Sequence, residues 1–267
     1  NRGNSKIGLI GVIGEDFLDE HMTWYREAGI YTEGIVVKQG KTFRWVGSYN
    51  AKMDQAITHD TQLNVFESFV PVVPKAFTSP KVLVCANLHP ELQSMTLDQT
   101  VVGRVTILDS MNLWINIARS KLEEVMKRVD ILVLNDEEVR MLAGDNNLIR
   151  ASQKIIQMKD GGILVVKKGE NGVLAFHPEG MISIPSFPTI NQVDPTGCGD
   201  SFAGAMAQRL STGVGEITRR ELMDSLIHAT VTASFTIESF GTQRIRNLNF
   251  DEYKKRLNLY KHITMTS

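Results

Sequence analysis

The sequence predicts an α/β fold built on a mainly parallel β-sheet with helices on both faces. Two observations predict it. KVLVCA (81–86), RVTILD (104–109), VDILVL (129–134) and GILVVK (162–167) are short apolar runs without regular polar alternation, so they read as strands buried on both faces. Amphipathic stretches of helical length separate them, and this alternation is the pattern of parallel strands joined by crossover helices. A chain of 267 residues, 42% hydrophobic, holds one large α/β domain or two small ones.

The elements follow in order. IGLIGVI (7–13) reads as a buried strand, and 17–28 as a helix ended by Gly29. Residues 34–62 break the rhythm. GIVVKQGKTFRWVGSYNAKM reads as two strands joined by a Gly-centred turn, KQGKT, with no helix between them. The expected division is 1–33 with 63–267 as the main domain and 34–62 as a small β excursion. Strand 81–86 leads to a helix with Pro90 in its first turn. Strand 104–109 precedes a helix over 112–128, and strand 129–134 precedes helices over 136–143 and 148–159. Strand 162–167 turns back into 172–176. Helices over 200–211 and 219–238 close the domain.

Composition excludes several classes. A net charge of −1 provides no global field for nucleic acid or an anionic membrane surface. The apolar runs are far too short to span a bilayer. The start, NRGNSKIG, is polar and lacks the apolar core of a signal peptide. Two well-separated cysteines, Cys85 and Cys198, suit a reducing compartment. A cytoplasmic protein is expected. The six histidines are scattered without metal-ligand spacing.

Four segments carry candidate chemistry. In DPTGCGDSFAGA (194–205), Gly197 and Gly199 allow a tight turn against the start of a helix. Backbone amides and the positive helix end then make a place for an anion. Asp200 at that join has two open roles, helix cap or general base. The segment is not a P-loop. Cys198 beside a helix start is either a reactive thiol or a small residue filling the turn, and no nucleophile chemistry calls for the former. In LVLNDEEVRML (132–142), Asn135 and Glu138 share the first turn of a helix, an ordinary capping arrangement. In VVKKGENGV (165–173), Lys167 ends a strand before an Asn-Gly turn, which also suits a plain hairpin. In ILDSMNLWI (107–115), Asp109 and Asn112 sit at a strand end, as pocket residues or helix caps. Asn87 ends the neighbouring strand, and ligands of open parallel sheets bind at carboxyl ends of strands.

VDPTGCGDSFAGA resembles the C-terminal signature of the ribokinase-like (PfkB) family of sugar and nucleoside kinases, D-T-x-G-A-G-D before a small-residue helix. Asp194, Thr196, Gly197, Gly199 and Asp200 match it, and Cys198 replaces the commoner alanine. The resemblance spans nearly the whole chain and is strongest over 130–242. It implies a three-layer αβα domain with a small β lid at 34–62. It implies an enzyme, a kinase that moves the γ-phosphate of ATP to a hydroxyl of a sugar, sugar derivative or nucleoside. Asp200 then becomes the base, and the amides of Gly197, Cys198 and Gly199 the anion hole. Asn135 and Glu138 match the family's N-x-x-E, which positions Mg2+ through water. Lys167, Gly169 and Gly172 match a turn lining the ATP site, and His228 borders the adenine pocket. Asp109 and Asn112 resemble the family's D-x-N with one extra residue between, near the acceptor with Asn87. Arg44, Trp45 and Tyr49 come from the lid, through which a homodimer is expected.

Asp194 and Thr196 match part of a K+ site, although the loop 240–247 carries Ile245 where a small hydroxyl residue is common. The family's N-terminal strand and Gly-Gly segment are absent from the 267 residues, and the chain is read as lacking its beginning. The alternatives are a pyridoxal- or hydroxymethylpyrimidine-type vitamin-precursor kinase, against which the lid counts, a non-catalytic ligand-binding relative, and a scaffold that only dimerises.

Overall fold

A computed structural model of the chain describes residues 6–50, 53 and 56–264. Contacts divide the chain into two compact units, 1–80 with 94–102, and 81–93 with 103–267. These boundaries differ from the expected 33/34 and 62/63.

In the first unit, β1 (Ile7–Gly14), α1 (Asp19–Glu27) and β2 (Ile30–Lys38) form a strand–helix–strand unit. The two strands pair in parallel, Gly11 opposite Ile35. Gly29, at φ +72°, ends α1 as the sequence predicts. The expected burial of β1 does not hold: most of its residues are half-buried, and among the described residues β2 is its only strand partner.

The KQGKT turn does not close a hairpin. Residues 34–38 belong to β2, and the antiparallel partner of β3 (Arg44–Tyr49) is β4 (Ala56–Gln62). The physical reason is a set of bonds from the turn to the end of β1. Glu15 donates its amide to the Gly40 carbonyl at 3.0 Å, and Gly14 donates to Thr42 Oγ1 at 3.0 Å. The Thr42 amide and hydroxyl both donate to Asp16 Oδ1 at 2.7 Å.

The second unit contains β5 (Val82–Cys85), the first turn of α2 (Pro90–Asp98), β6 (Val105–Asp109), α3 (Asn112–Ile117) and α4 (Arg119–Met126). It continues through β7 (Ile131–Asn135), α5 (Asp136–Ala143), α6 (Leu148–Met158), β8 (Ile163–Lys167), β9 (Val173–His177) and β10 (Gly180–Ile184). It ends with α7 (Cys198–Leu210), α8 (Arg219–Thr236), α9 (Gln243–Arg246) and α10 (Phe250–Thr264). The six-stranded sheet runs β10-β9-β8-β7-β6-β5, with β5 to β8 parallel and β9 and β10 antiparallel at one edge.

Strand periodicity distributes the core over two layers of helix. Ile107, Ile131, Val133 and Val165 pack with Phe202, Met206, Leu226 and Phe235 of α7 and α8. Leu108, Leu132, Leu134 and Leu164 alternate with them and are equally buried, as are Leu122, Val139, Leu142 and Ile155 of α4 to α6. The three-layer αβα arrangement therefore holds. Each such side chain contributes roughly 1.5–3 kcal/mol by burial, so the strand ends that carry polar residues are firmly anchored.

Three features depart from expectation. The helix over 112–128 is two helices, broken at Ala118 (φ −136°, ψ 31°). Strand β10 is an edge strand whose alternate residues are exposed. Helix α10 was unforeseen, and its Tyr260 is fully buried with Oη donating to the Pro185 carbonyl at 2.6 Å.

Candidate active site

The carboxyl ends of β6, β7 and β8 bring Asp109, Asn135 and Lys167 to one edge of the sheet. Asn135 lies opposite Lys167 in the register. From β8 the Lys167 side chain passes the end of β7 and meets Asp109 on β6, with Nζ 3.2 Å from Oδ1. Asp109 is only 6% exposed. Its Oδ1 also accepts from the Ser110 amide at 3.1 Å. The residue before α3 is Met111, which makes no side-chain cap bond, so Asp109 does not cap that helix.

The start of α7 joins the same cluster. Gly197 precedes the helix at φ +84°, a conformation that only glycine adopts without strain. A Cβ added to Gly199 would lie 3.1 Å from Lys167 Nζ, so the ammonium rests against the first turn of α7. Burial alone would pull the Lys167 ammonium down. The charges of Asp109, Glu138 and Asp200 outweigh it, and the group is held above its usual range. Asp200 is raised by burial and then by Asp109, with Lys167 opposing. The Asp200 side chain keeps an exposed face, which limits the effect.

Asn135 and Glu138 form a complete capping box on α5. The Asn135 amide donates to Glu138 Oε2 at 2.7 Å, and the Glu138 amide donates to Asn135 Oδ1 at 2.8 Å. Glu138 is 5% exposed. Burial pushes its carboxyl up to about 7, against Lys167 and the Asn135 amide, which pull it down. Three carboxyl groups thus interact with one ammonium, Asp109 in contact and Glu138 and Asp200 through their charge. Oxygen donors of this kind fit Mg2+, which takes few protein ligands and keeps several waters. No group of three or more His, Cys, Asp or Glu among the described residues could hold a metal by itself.

The loop and turn residues separate into engaged and open groups. The Cys198 amide donates to the Pro195 carbonyl at 3.1 Å, so one of the three expected anion-hole amides is already engaged. The Gly197 amide has no acceptor among the described residues. The Cys198 thiol is pushed up to about 12 by burial and by Asp194 and Asp200, which fits a filler rather than a reactive thiol. Asp194 Oδ1 accepts from the Thr196 amide at 2.9 Å, closing a local turn. Gly169 (φ +54°) and Gly172 (φ +79°) form the tight connection from β8 to β9.

Other expected residues of the second unit make no described bond to this cluster. Asn87 accepts from Trp114 Nε1 at 2.9 Å and donates to Met111 Sδ at 3.2 Å, so it braces α3. Asn112 opens α3 with its Oδ1 buried and unpartnered. His228 Nδ1 lies 2.7 Å from Tyr253 Oη and Nε2 lies 3.9 Å from Asp224; none of these partners belongs to the cluster. Arg44 and Trp45 belong to the first unit. Arg44 is exposed, and the Trp45 ring lies across Gly47 with Nε1 donating to Thr58 Oγ1 at 3.1 Å.

Sequence reasoning missed Gln93 of α2. It is 1% exposed, and its Nε2 donates to the carbonyls of Ala86 (2.7 Å) and Asp109 (3.0 Å), tying the ends of β5 and β6 together. Nothing in the sequence distinguishes this glutamine from a surface residue.

Comparison with known proteins identifies the fold and the family. A cytidine kinase from Thermococcus kodakarensis is 27% identical over 217 residues, covering 78% of this chain and 75% of its own length. The nucleoside kinase of Methanocaldococcus jannaschii, an archaeal member of the ribokinase family, superposes with a TM-score of 0.75 at 19% identity, covering 95% of this chain and 81% of that one. An E. coli protein solved in complex with ATP and Mg2+ superposes with a TM-score of 0.76 at 19% identity, over 96% and 84% of the two chains. The sequence profile of the pfkB family carbohydrate kinases matches residues 2–247, and the chain belongs to that family.

Proposed function

We propose that this chain transfers the γ-phosphate of ATP to a hydroxyl of a sugar, sugar derivative or nucleoside. The observation that carries the reading is the Lys167 ammonium, set among Asp109, Glu138 and Asp200 beside the glycine turn at the start of α7. Asp200 accepts the proton of the attacking hydroxyl, and its raised carboxyl is a better base than an ordinary aspartate. The Gly197 and Gly199 amides and the positive end of α7 stabilise charge on the phosphoryl oxygens. Lys167 adds a cation to the same place. Asn135 and Glu138 would hold Mg2+ through water, and the ion would supply charge neutralisation at the phosphates. Gly169 and Gly172 shape the nucleotide side. Catalysis of this kind is positioning and electrostatics.

A monovalent cation, K+, would bind beside the loop at Asp194 and Thr196. We place the enzyme in the cytoplasm, where ATP is available and thiols stay free; no described helix is long and apolar enough to cross a membrane. Retention of Asp200 favours an active enzyme over a non-catalytic relative, because a binding module has no use for a base.

The test is ADP release from ATP and Mg2+ in the presence of ribose, fructose, cytidine or inosine, with further sugars, polyols and nucleosides behind them. Acceptor-dependent ADP release with at least one compound is expected. Release no faster than the acceptor-free rate across the whole panel would overturn the proposal.

A further inference from the structure

The Asp109–Lys167 pair has an unusual position. Strands β6 and β8 are not neighbours; β7 lies between them. With about 4.8 Å between adjacent strands, Lys167 must reach across two spacings to make a 3.2 Å contact with Oδ1. Its ammonium also lies against the first turn of α7, at the position a Gly199 Cβ would occupy. A helix N-terminus repels a cation. Lys167 is therefore held where the helix disfavours it, and where an arriving phosphate would be drawn by ammonium and helix together. The group that holds it there is a carboxylate that is itself fixed. Asp109 is buried, its Oδ1 accepts from Ser110, and its carbonyl accepts from Gln93.

We infer that Asp109 is a positioning residue for phosphoryl transfer, acting through Lys167 as the fixed counter-ion that holds the ammonium over the first turn of α7, and is not a contact to the acceptor. The inference rests on the kinase reading and deepens it. Lys167 spans the distance between β8 and the first turn of α7, the helix that carries Asp200. After burial, the charge of Asp109 also raises the Asp200 carboxyl.

The test is a double-mutant comparison of wild type, Asp109→Asn, Lys167→Met and the double variant. It is run with whichever of ribose, fructose, cytidine or inosine is phosphorylated fastest. Asp109→Asn should lower kcat roughly 10- to 100-fold, the scale of a misplaced catalytic group, with the acceptor KM within about threefold of wild type. In the Lys167→Met background, Asp109→Asn should change kcat by no more than about twofold. Effects that multiply, or a tenfold rise in acceptor KM with kcat retained, would overturn the inference.

Leaving the half-buried Lys167 without its partner endangers folding of the single Asp109 variant. The comparison of Lys167→Met with the double variant, both lacking the unpaired cation, then decides alone. If wild type releases no ADP with any acceptor, the kinase reading fails. Titration with ADP still separates the two questions. Equal ADP affinity in Lys167→Met and the double variant supports coupling through Lys167, and a further loss in the double variant contradicts it.

Discussion

Replacing Glu138 by glutamine should stabilise the empty protein at pH 8 and leave it unchanged in acid. The side chain is almost fully enclosed, and burial lifts its carboxyl from an ordinary 4.5 to about 7. A carboxyl raised on folding binds its proton more tightly in the folded state. Its contribution is most favourable below the unfolded value of 4.5 and is lost as pH rises to about 7. At ~1.4 kcal/mol per unit, the charged form costs about 3 kcal/mol above pH 7. Glutamine keeps an oxygen to accept the Asn135 amide, so the cap survives. Glu138→Gln should therefore gain about 3 kcal/mol at pH 8, roughly 6–12 °C in Tm for a chain of this size, and nothing near pH 4.5. Thermal unfolding followed by circular dichroism between pH 4.5 and 8.5, without nucleotide or Mg2+, measures it. A difference that does not grow with pH, or a loss of stability at pH 8, would refute the reasoning. The same substitution should cut Mg2+-dependent turnover, since it removes the carboxylate that would hold the ion.

Three further outcomes follow from local geometry. Gly172→Ala should destabilise by about 2–4 kcal/mol in urea titration, because the residue sits at φ +79° and its new Cβ would overlap the Ile184 carbonyl oxygen. Gly169→Ala, at φ +54° with no atom within 4 Å, should cost only about 1–2 kcal/mol; equal costs would contradict the overlap. Gly199→Ala should keep or raise Tm, as alanine favours helix, yet lower turnover about tenfold, because its Cβ presses on Lys167 Nζ at 3.1 Å; unchanged turnover would contradict it. Native Cys198, its thiol pushed up to about 12, should react with iodoacetamide at pH 7.5 far more slowly than free cysteine, as read by mass spectrometry.

The strands of the second unit were legible because both of their faces are buried. Leu132 and Val133 point in opposite directions and both are fully enclosed, so the run is apolar without alternation. The first unit was less legible. Whether KQGKT closes a hairpin depends on Gly40 and Thr42 bonding to Glu15, Gly14 and Asp16, more than 20 residues earlier. No local pattern encodes that. The break at Ala118 was equally hidden, since alanine is a good helix former and the sequence offers no glycine or proline there. In the site, Asp200, Asn135, Glu138 and Lys167 stood out through the resemblance to the family's motifs, since spacing alone left helix caps and a plain hairpin open. The pairing of Lys167 with Asp109 was not legible, because the two lie 58 residues apart on strands that are not adjacent. The contact of His228 with Tyr253 was invisible for another reason: helix α10 was not foreseen.

The central claim is that Asp200 removes the proton from the attacking hydroxyl at an otherwise intact nucleotide site. The most direct measurement is turnover and ADP affinity of Asp200→Asn, which keeps the shape of the side chain and removes its basicity. The account predicts a fall in kcat of about 10²- to 10⁴-fold with ADP affinity within about threefold of wild type. Turnover near that of wild type would contradict it.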